Sequence, residues 1–157
     1  DLTCNDGGGP MVLRNLEIHH GTGMGIQGGV DDLLIENNYI HHTGLLYKQG
    51  VGVSLRGVGQ RAAHNLIHDT PRFAIQFMGN HHVIEFNHVR HVNLETADTG
   101  AIYTGGRDWL GARGSVIRYN YFHDLHGPGA CGVMGIYLDD WQSGTTIYGN
   151  VFYRAGL

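Results

Sequence analysis

The sequence predicts an all-β protein, a right-handed parallel β-helix (a solenoid) of about five to six coils. Three observations predict this fold: a repeated asparagine turn, short alternating apolar segments between those turns, and 26 glycines in 157 residues. A charged fraction of 15% and an apolar fraction of 41% are typical of a packed domain and argue against disorder.

One sequence pattern recurs along the chain. Alternating apolar residues are followed by an asparagine, a further apolar residue and commonly a histidine, as in LLIENNYIHHTG and VIRYNYFHDLHG. The asparagines follow one another after 27, 22, 33 and 30 residues, which fits one solenoid turn. They are Asn38, Asn65, Asn87, Asn120 and Asn150, with Leu16 in the same place in the first unit. We expect the asparagines to stack and to hydrogen-bond to one another and to backbone in a ladder.

A second landmark lies between the asparagines and predicts a strand with one inward apolar residue. These residues are Ile26, Val53, Ile75, Ile102 and Ile136. We therefore expect two strand landmarks per coil, a constant core register and variable connections. One position later follows an outward column of polar and aromatic residues, which are Gln27, Ser54, Gln76, Tyr103 and Tyr137.

Both ends of the chain fall inside the repeat. The chain starts at Asp1, and the last unit stops just after its asparagine turn. Because an open solenoid end exposes core and strand edges, we expect a single domain over residues 1–157 that is a fragment of a longer β-helix, truncated at both ends. Two other repeat folds fit less well: the leucine-rich spacing is absent, and propeller blades need units nearer 40 residues.

Composition also bears on partners. The formal net charge is −4 and the basic residues are scattered, which argues against nucleic acid. No apolar run approaches the roughly 18 residues that span a bilayer, so no membrane partner is expected. Cys4 and Cys131 lie far apart without a CxxC motif, and we expect free, partly buried thiols. We expect a monomer.

Twelve histidines, several of them adjacent, raise the question of a metal site. Four of them, His19, His41, His68 and His123, occupy the same place in successive units, three residues after the asparagine position. A histidine at a repeated turn that hydrogen-bonds to backbone explains them without a metal, and we predict none.

The longest connections follow Asn87, Ile102, Asn120 and Ile136, and they carry the residues that suggest chemistry. Aromatic platforms beside acidic groups suit a sugar, so we expect a carbohydrate polymer or oligosaccharide as the partner. The predicted substrate-binding residues are Trp109, Trp141, Tyr103, Tyr137, Arg107 and Glu95.

Glycoside hydrolysis needs two carboxyl groups. The candidates are Asp98, Asp108, Asp139 and Asp140. Asp139 can pair with Asp108 across one coil step, whereas Asp98 precedes its landmark by four residues and reaches Asp139 only if its loop folds back. Structural readings compete: Asp98 can cap a turn, and Asp139 with Asp140 can end a strand or bind calcium. No other cofactor is expected.

The strings ADTGAIYTGGRDW, VIRYNYFHDLHG and GIYLDDWQSGTTIYGNVFYRAG resemble glycoside hydrolase family 141, within the pectate-lyase-like β-helix proteins of secreted bacterial carbohydrate metabolism. The resemblance implies an activity such as fucosidase or xylanase and a secreted or periplasmic location. It implies that Asp98 and either Asp139 or Asp140 form the catalytic pair.

Two alternatives share the fold. A polysaccharide lyase acting on uronate glycans would need a basic residue, for which Lys48, Arg107 or Arg56 are available, and often calcium. The scarcity of basic residues counts against it. A non-catalytic glycan-binding β-helix, such as an adhesin or tailspike, would keep the tryptophans but need no carboxylate pair.

Overall fold

The computed structural model describes residues 1–5, 9–107 and 112–156. Over these ranges the chain forms eighteen strands and no helix. The strands make three parallel sheets of six, because each of six coils contributes one strand to each sheet. The predicted all-β parallel β-helix is therefore confirmed. The same ranges contain no helix long and apolar enough to cross a membrane.

We call the sheets A, B and C in the order in which the chain enters them. Sheet A consists of β1 (Leu2–Cys4), β4 (Ile26–Gly28), β7 (Val53–Leu55), β10 (Ile75–Phe77), β13 (Thr99–Gly105) and β16 (Val133–Asp139). Sheet B consists of β2 (Val12–Arg14), β5 (Leu34–Glu36), β8 (Arg61–Ala63), β11 (Val83–Glu85), β14 (Val116–Arg118) and β17 (Thr146–Tyr148). Sheet C consists of β3 (Glu17–His19), β6 (Tyr39–His41), β9 (Leu66–His68), β12 (His88–Arg90), β15 (Tyr121–Leu125) and β18 (Val151–Ala155).

The core register agrees with the prediction. The inward residues of sheet A pair coil to coil as Ile26, Val53, Ile75, Ile102 and Ile136. Ile35, Ile84 and Ile117 of sheet B and Ile40, Ile67 and Phe122 of sheet C are buried against them. Similar side chains stacked on similar side chains make one continuous apolar core along the axis, and its burial is the main stabilising contribution to the fold.

The expectation of two strands per coil is wrong, because the asparagine segment is two strands rather than one. In the second coil, Asn38 lies between β5 and β6, which belong to different sheets. The residue before it, Asn37, has a left-handed φ of 53°, and the same position is left-handed in every described coil, from Asn15 to Gly149. One left-handed residue turns the chain from sheet B to sheet C while leaving the apolar alternation nearly unbroken.

The predicted asparagine ladder is present. The Asn65 side chain donates from Nδ2 to Oδ1 of Asn87 at 3.0 Å and to the backbone oxygen of Ile35 at 3.0 Å. The same pattern joins Asn38 to Asn65, Asn87 to Asn120 and Asn120 to Asn150. Because the amides of Asn38, Asn65, Asn87 and Asn120 are almost wholly buried and hydrogen-bonded, the ladder fixes the turn without leaving these polar groups unpaired.

The prediction that the repeated histidines hydrogen-bond to backbone is wrong. The His68 ring bonds through Nδ1 to Oδ2 of Asp69 at 2.6 Å, and the His123 ring bonds in the same way to Asp124 at 2.7 Å. These imidazoles therefore contact neighbouring side chains and not the backbone. Both cysteines are free, but Cys131 is exposed, whereas Cys4 is buried as expected.

Candidate functional site

The outward column of sheet A exists as predicted. Thr3, Gln27, Ser54, Gln76, Tyr103 and Tyr137 occupy one register position across all six strands. In the last two coils the strands lengthen, since β13 and β16 have seven residues each where β7 and β10 have three. The polar column therefore ends in a broader platform where Tyr103 and Tyr137 meet edge to face, with ring centroids 5.6 Å apart.

The first carboxylate of the site is Asp139, at the end of β16. The Tyr103 hydroxyl donates to Asp139 Oδ2 at 3.0 Å, and the backbone N–H of Asp140 donates to Asp139 Oδ1 at 2.8 Å. Burial of the Tyr103 hydroxyl, together with the negative charge of Asp139 beside it, raises the pKa of Tyr103 to about 12. The hydroxyl therefore keeps its hydrogen and remains a donor to Asp139 at neutral pH.

The second carboxylate is Asp98, directly before β13. Asp98 has a left-handed φ of 52°, and its Oδ1 accepts a hydrogen bond of 3.2 Å from the Tyr137 hydroxyl. Burial and then the charges of Asp139 and Asp98 raise the pKa of Tyr137 to about 12. Asp139, two residues after Tyr137 on the same strand, contributes to this shift in pKa, while the hydrogen bond of the Tyr137 hydroxyl goes to Asp98.

Two glycines make room for the tyrosines. A Cβ atom at Gly100 would lie 2.8 Å from the Cβ of Tyr137, and one at Gly105 would overlap the Tyr103 hydroxyl. Each position therefore needs a residue without a side chain if the ring is to lie where it does. The glycines of the string DTGAIYTGG thus help to set the positions of the hydroxyls that hold the aspartates.

Arg72 and Phe73 also belong to the site, and sequence reasoning did not select them. The Phe73 ring stacks on Tyr103 at 4.3 Å, and the Arg72 guanidinium lies 4.5 Å from the Phe73 centroid. Arg72 Nη2 donates to the backbone oxygen of Asp98 at 3.3 Å. These residues follow a short connection without a distinctive motif, so the only signal was their position just before the landmark Ile75.

A cavity of about 170 Å³ opens beside Asp139, at the carboxyl ends of the sheet A strands. Its lining is mostly small and uncharged: Met78, Gly79, Thr104, Gly105, Gly106, Ala112 and Gln142. Gln142 is held there by a backbone hydrogen bond of 3.1 Å to the carbonyl of Asp139. The cavity can hold a part of a ligand whose remainder lies over the two tyrosines.

Other residues predicted for the site lie at its edge or away from it. Arg107 is largely exposed and approaches Asp140 at 3.7 Å. Trp141 is 74% exposed, which leaves its ring free for a ligand. Glu95 forms an ion pair with Lys48 at 2.8 Å, across two coils. Asp108 and Trp109 lie outside the described residues, so the pairing of Asp108 with Asp139 stays a prediction.

The described ranges contain no group of three or more His, Cys, Asp or Glu side chains placed to hold a metal ion. The Asp139 and Asp140 carboxylates instead face Tyr103 and Arg107. In these ranges the site consists of Asp98, Asp139, the hydroxyls of Tyr103 and Tyr137, and Arg72. These groups can donate hydrogen bonds to a bound hydroxyl-rich ligand, accept hydrogen bonds from it and exchange protons with it.

Comparison with known families agrees with the architecture. The model of the right-handed β-helix region matches residues 3–152. The chain belongs to the right-handed β-helix family. No curated protein sequence and no solved structure is significantly similar to this β-helix protein. Membership in this family shows the fold of the protein and not its chemistry, which depends on the aspartate and tyrosine side chains of the site.

Proposed function

We propose that this β-helix protein is a glycoside hydrolase that cleaves a polysaccharide or oligosaccharide with Asp98 and Asp139. The observation that carries the proposal is a pair of tyrosines whose rings meet edge to face and which each hold one aspartate: Tyr137 donates to Asp98 at 3.2 Å, and Tyr103 donates to Asp139 at 3.0 Å. Glycosidases use carboxyl pairs roughly 5 Å apart for retention and 6.5 to 9.5 Å apart for inversion. We propose that Asp98 and Asp139 have a separation of this kind, because they are bound to two tyrosines whose rings are in contact.

The two carboxylates differ in their surroundings, and this difference suggests their roles. Asp139 accepts from Tyr103 and from the Asp140 backbone, an environment suited to the ionised nucleophile or general base. Asp98 is exposed and accepts one side-chain hydrogen bond of 3.2 Å, from Tyr137, which suits the general acid that must exchange its proton with water.

The surrounding surface fits a sugar chain laid along the helix axis. Gln76, Ser54 and Gln27 continue the column beyond Tyr103, one coil or ~4.8 Å apart. Gln76 and Gln27 are partly exposed and offer hydrogen bonds to sugar hydroxyls, whereas Ser54 is buried. The exposed Trp141 ring and the cavity beside Asp139 supply apolar surface for a ring face or substituent. The resemblance of these strings to glycoside hydrolase family 141 supports the same activity.

The lyase alternative finds less support. Lys48 is bound to Glu95, and Arg107 is 82% exposed in its side chain and paired with Asp140. Arg56 donates to Ser54 at 3.1 Å in a coil away from the aspartates. A proton-abstracting base would have to be close to the sugar carbon and able to give up its own proton, which none of these arrangements favours.

The test is a screen of the protein against neutral and acidic polysaccharides, with new reducing ends and unsaturated products measured separately. We expect reducing ends without unsaturation. Asp139→Asn and Asp98→Asn should each lower turnover by at least about a hundredfold while glycan binding persists. Asp32→Asn is the matched control, because Asp32 is an exposed aspartate with the same left-handed backbone as Asp98.

Each other outcome points elsewhere. Unsaturated products would indicate a lyase, and binding without any new chain ends would indicate a non-catalytic glycan-binding protein. Unchanged turnover in Asp139→Asn, on a substrate that the protein cleaves, would remove Asp139 from the reaction.

A further inference from the structure

The outer side of sheet C concentrates histidine. Eight of the twelve histidines lie in its strands or directly after its three-residue strands, and we call this surface the histidine face: His19, His20, His41, His42, His68, His88, His91 and His123. The proposed hydrolase chemistry lies on sheet A and uses none of them. The question is what a sheet that presents this many imidazoles can bind.

The imidazoles form two rows that run along the helix axis. His19, His41 and His68 stack with centroids 5.2 Å apart and planes within 8° of parallel. His20 and His42 stack alongside at 5.0 Å. The residue one position after the row of His19 is left-handed in each coil, so the second row keeps its orientation; these residues include His20, His42, Asp69, His91 and Asp124. The face therefore repeats its polar groups about every 5 Å.

Three histidine pairs share a hydrogen bond. Nδ1 of His19 faces Nδ1 of His20 at 2.8 Å, and the His41 and His42 rings repeat that contact at 2.8 Å. Nε2 of His88 lies 2.7 Å from Nε2 of His123. In a neutral pair one of the facing nitrogens carries the hydrogen. Such a pair can take up one proton on a ring nitrogen that does not face the partner, and the hydrogen bond between the two rings is then kept. A second proton would place an N–H group on both facing nitrogens, so that no acceptor would remain between them.

The fixed charges on this face nearly cancel at neutral pH. Arg90 and Arg154 are opposed by Glu17, Asp69 and Asp124, so two cations against three carboxylates leave a formal charge of −1. Tyr39, Tyr121 and Tyr153 are the neutral aromatic neighbours in the same strands. At the adjoining turns, Asp1 lies beside Gly21 and Gly23, and Lys48 is paired with Glu95. Only the imidazoles can therefore reverse the sign of this surface.

Acidification makes the face cationic. Imidazoles take up protons between about pH 8 and pH 5. Protonation of two of the eight imidazoles is enough to outweigh the fixed charge of −1. Burial lowers the pKa of His68 and that of His88, so these two rings take up their protons late. The gain in charge is spread along the axis rather than concentrated at one point.

We propose that the histidine face binds a linear polyanion, a chain with regularly repeated carboxylate, sulfate or phosphate groups, under mildly acidic conditions. The parallel register aligns His19, His41, His68, Arg90 and His123 on successive strands, and the first three rings stack about 5 Å apart, so an acidified row of cationic groups is complementary to such a chain. The proposal does not rest on the hydrolase function, because sheet A and sheet C are different sides of the solenoid. It gives the protein a second, pH-dependent attachment surface.

The test uses dextran sulfate as the probe and compares affinity at about pH 5.5 and pH 7.5 in low salt. We expect binding at least about tenfold tighter at the lower pH, weakened by added salt. A triple variant, His20→Asn, His42→Asn and His91→Asn, removes three imidazoles from left-handed positions that asparagine tolerates. It should lose most of the pH-dependent gain.

The matched control is His64→Asn with His81→Asn, compared with the double variant His20→Asn and His42→Asn. All four histidines are left-handed, and the two control residues lie outside sheet C, so net charge and backbone demands are the same. Equal affinity losses in both variants would overturn the proposal, since only net charge would then matter. No increase in affinity at pH 5.5 would also overturn it. Attachment to vesicles of phosphatidylglycerol and phosphatidylcholine without binding to dextran sulfate would also overturn the proposal, because the partner would then be a lipid surface. Urea unfolding of each variant separates loss of binding from loss of folding.

Discussion

Tyr103 donates a 3.0 Å hydrogen bond to Asp139 from the neighbouring strand, and the Asp139 carboxylate in turn keeps that hydroxyl from ionising. The two side chains come from adjacent coils, 36 residues apart, yet the parallel register fixes their contact. This reciprocity gives the site an observable property, the ionisation of its tyrosines, that can be measured without knowing the substrate.

Tyr103→Phe should remove one of two tyrosines that ionise late. The protein has eight tyrosines, and burial with nearby carboxylate charge raises the pKa of both Tyr103 and Tyr137 to about 12. An ultraviolet titration of tyrosinate should show two late groups in the unchanged protein and one in the variant. Tyr121→Phe, on sheet C, is the control and should leave both late groups in place.

The free energy of unfolding should fall at alkaline pH, because the pKa values of Tyr103 and Tyr137 are raised in the folded protein. A tyrosine whose folded pKa lies above its unfolded value stabilises the fold fully below about pH 10, and that contribution is lost as pH rises towards about 12. Urea unfolding at pH values from 9 upwards should therefore show a steeper decline for the unchanged protein than for Tyr103→Phe with Tyr137→Phe. Parallel declines would contradict the tyrosine environments described above.

Gly105→Ala should change the position of the Tyr103 side chain, whereas Gly100→Ala should lower the stability of the fold. The new methyl at residue 105 meets only the far end of the Tyr103 side chain, which can swing away from Asp139. We expect little loss of folding free energy there but a Tyr103 pKa closer to its ordinary value. At residue 100 the methyl meets the Tyr137 Cβ at 2.8 Å and the Ile102 carbonyl at 2.9 Å, so a loss of about 1 to 3 kcal/mol is expected. Calorimetry with tyrosinate titration would test both.

Asn87→Asp should destabilise the fold strongly. The Asn87 amide donates to the Ala62 carbonyl at 2.9 Å and to Asn120 Oδ1 at 3.0 Å, so a buried carboxylate would face two acceptors. We expect a loss of about 3 kcal/mol or more in the free energy of unfolding. Asn150→Asp is the matched control, because Asn150 lies on the last described coil and is less buried, and it should cost about 1 kcal/mol. Equal losses would show that burial does not set the cost.

Acid should also weaken the fold. Burial lowers the pKa of His82, His68 and His88. The unfolded chain therefore binds protons more readily than the folded one, and the stability present above about pH 6.5 is lost as pH falls through the folded pKa values. His82→Gln should flatten this slope in urea titrations between about pH 7 and pH 5. His126→Asn, at an exposed position, should leave the slope unchanged.

The sequence could predict what depends on repetition. The asparagine spacing and the apolar residues at Ile26, Val53 and Ile75 defined the register, because stacked coils place like residues over like. It could not show three strands per coil, since the left-handed residue before each asparagine is Asn, His, Phe, Tyr or Gly and has no common chemical type. Local backbone handedness, rather than composition, turns the chain there.

The sequence singled out Asp98, Asp139 and the two tyrosines but not the contacts among them. Asp98 was expected to lie far from Asp139 unless its loop folded back, and its left-handed backbone places it within reach of the Tyr137 hydroxyl. The tyrosine hydroxyls are bound to the aspartates, and their predicted contact with substrate stays a prediction. Side-chain reach and backbone handedness at single residues decide these contacts, and a repeat pattern carries information about neither.

The asparagine ladder also gives the solenoid a net dipole along its axis. Each Nδ2 from Asn38 to Asn120 points towards the following coil, and each Oδ1 from Asn65 to Asn150 points towards the preceding one. The amide dipoles therefore add along the axis instead of cancelling, much as peptide dipoles do in an α-helix. An antiparallel β-structure has no such sum. Two coils of identical sequence would still differ in electrostatic potential according to their place along the row.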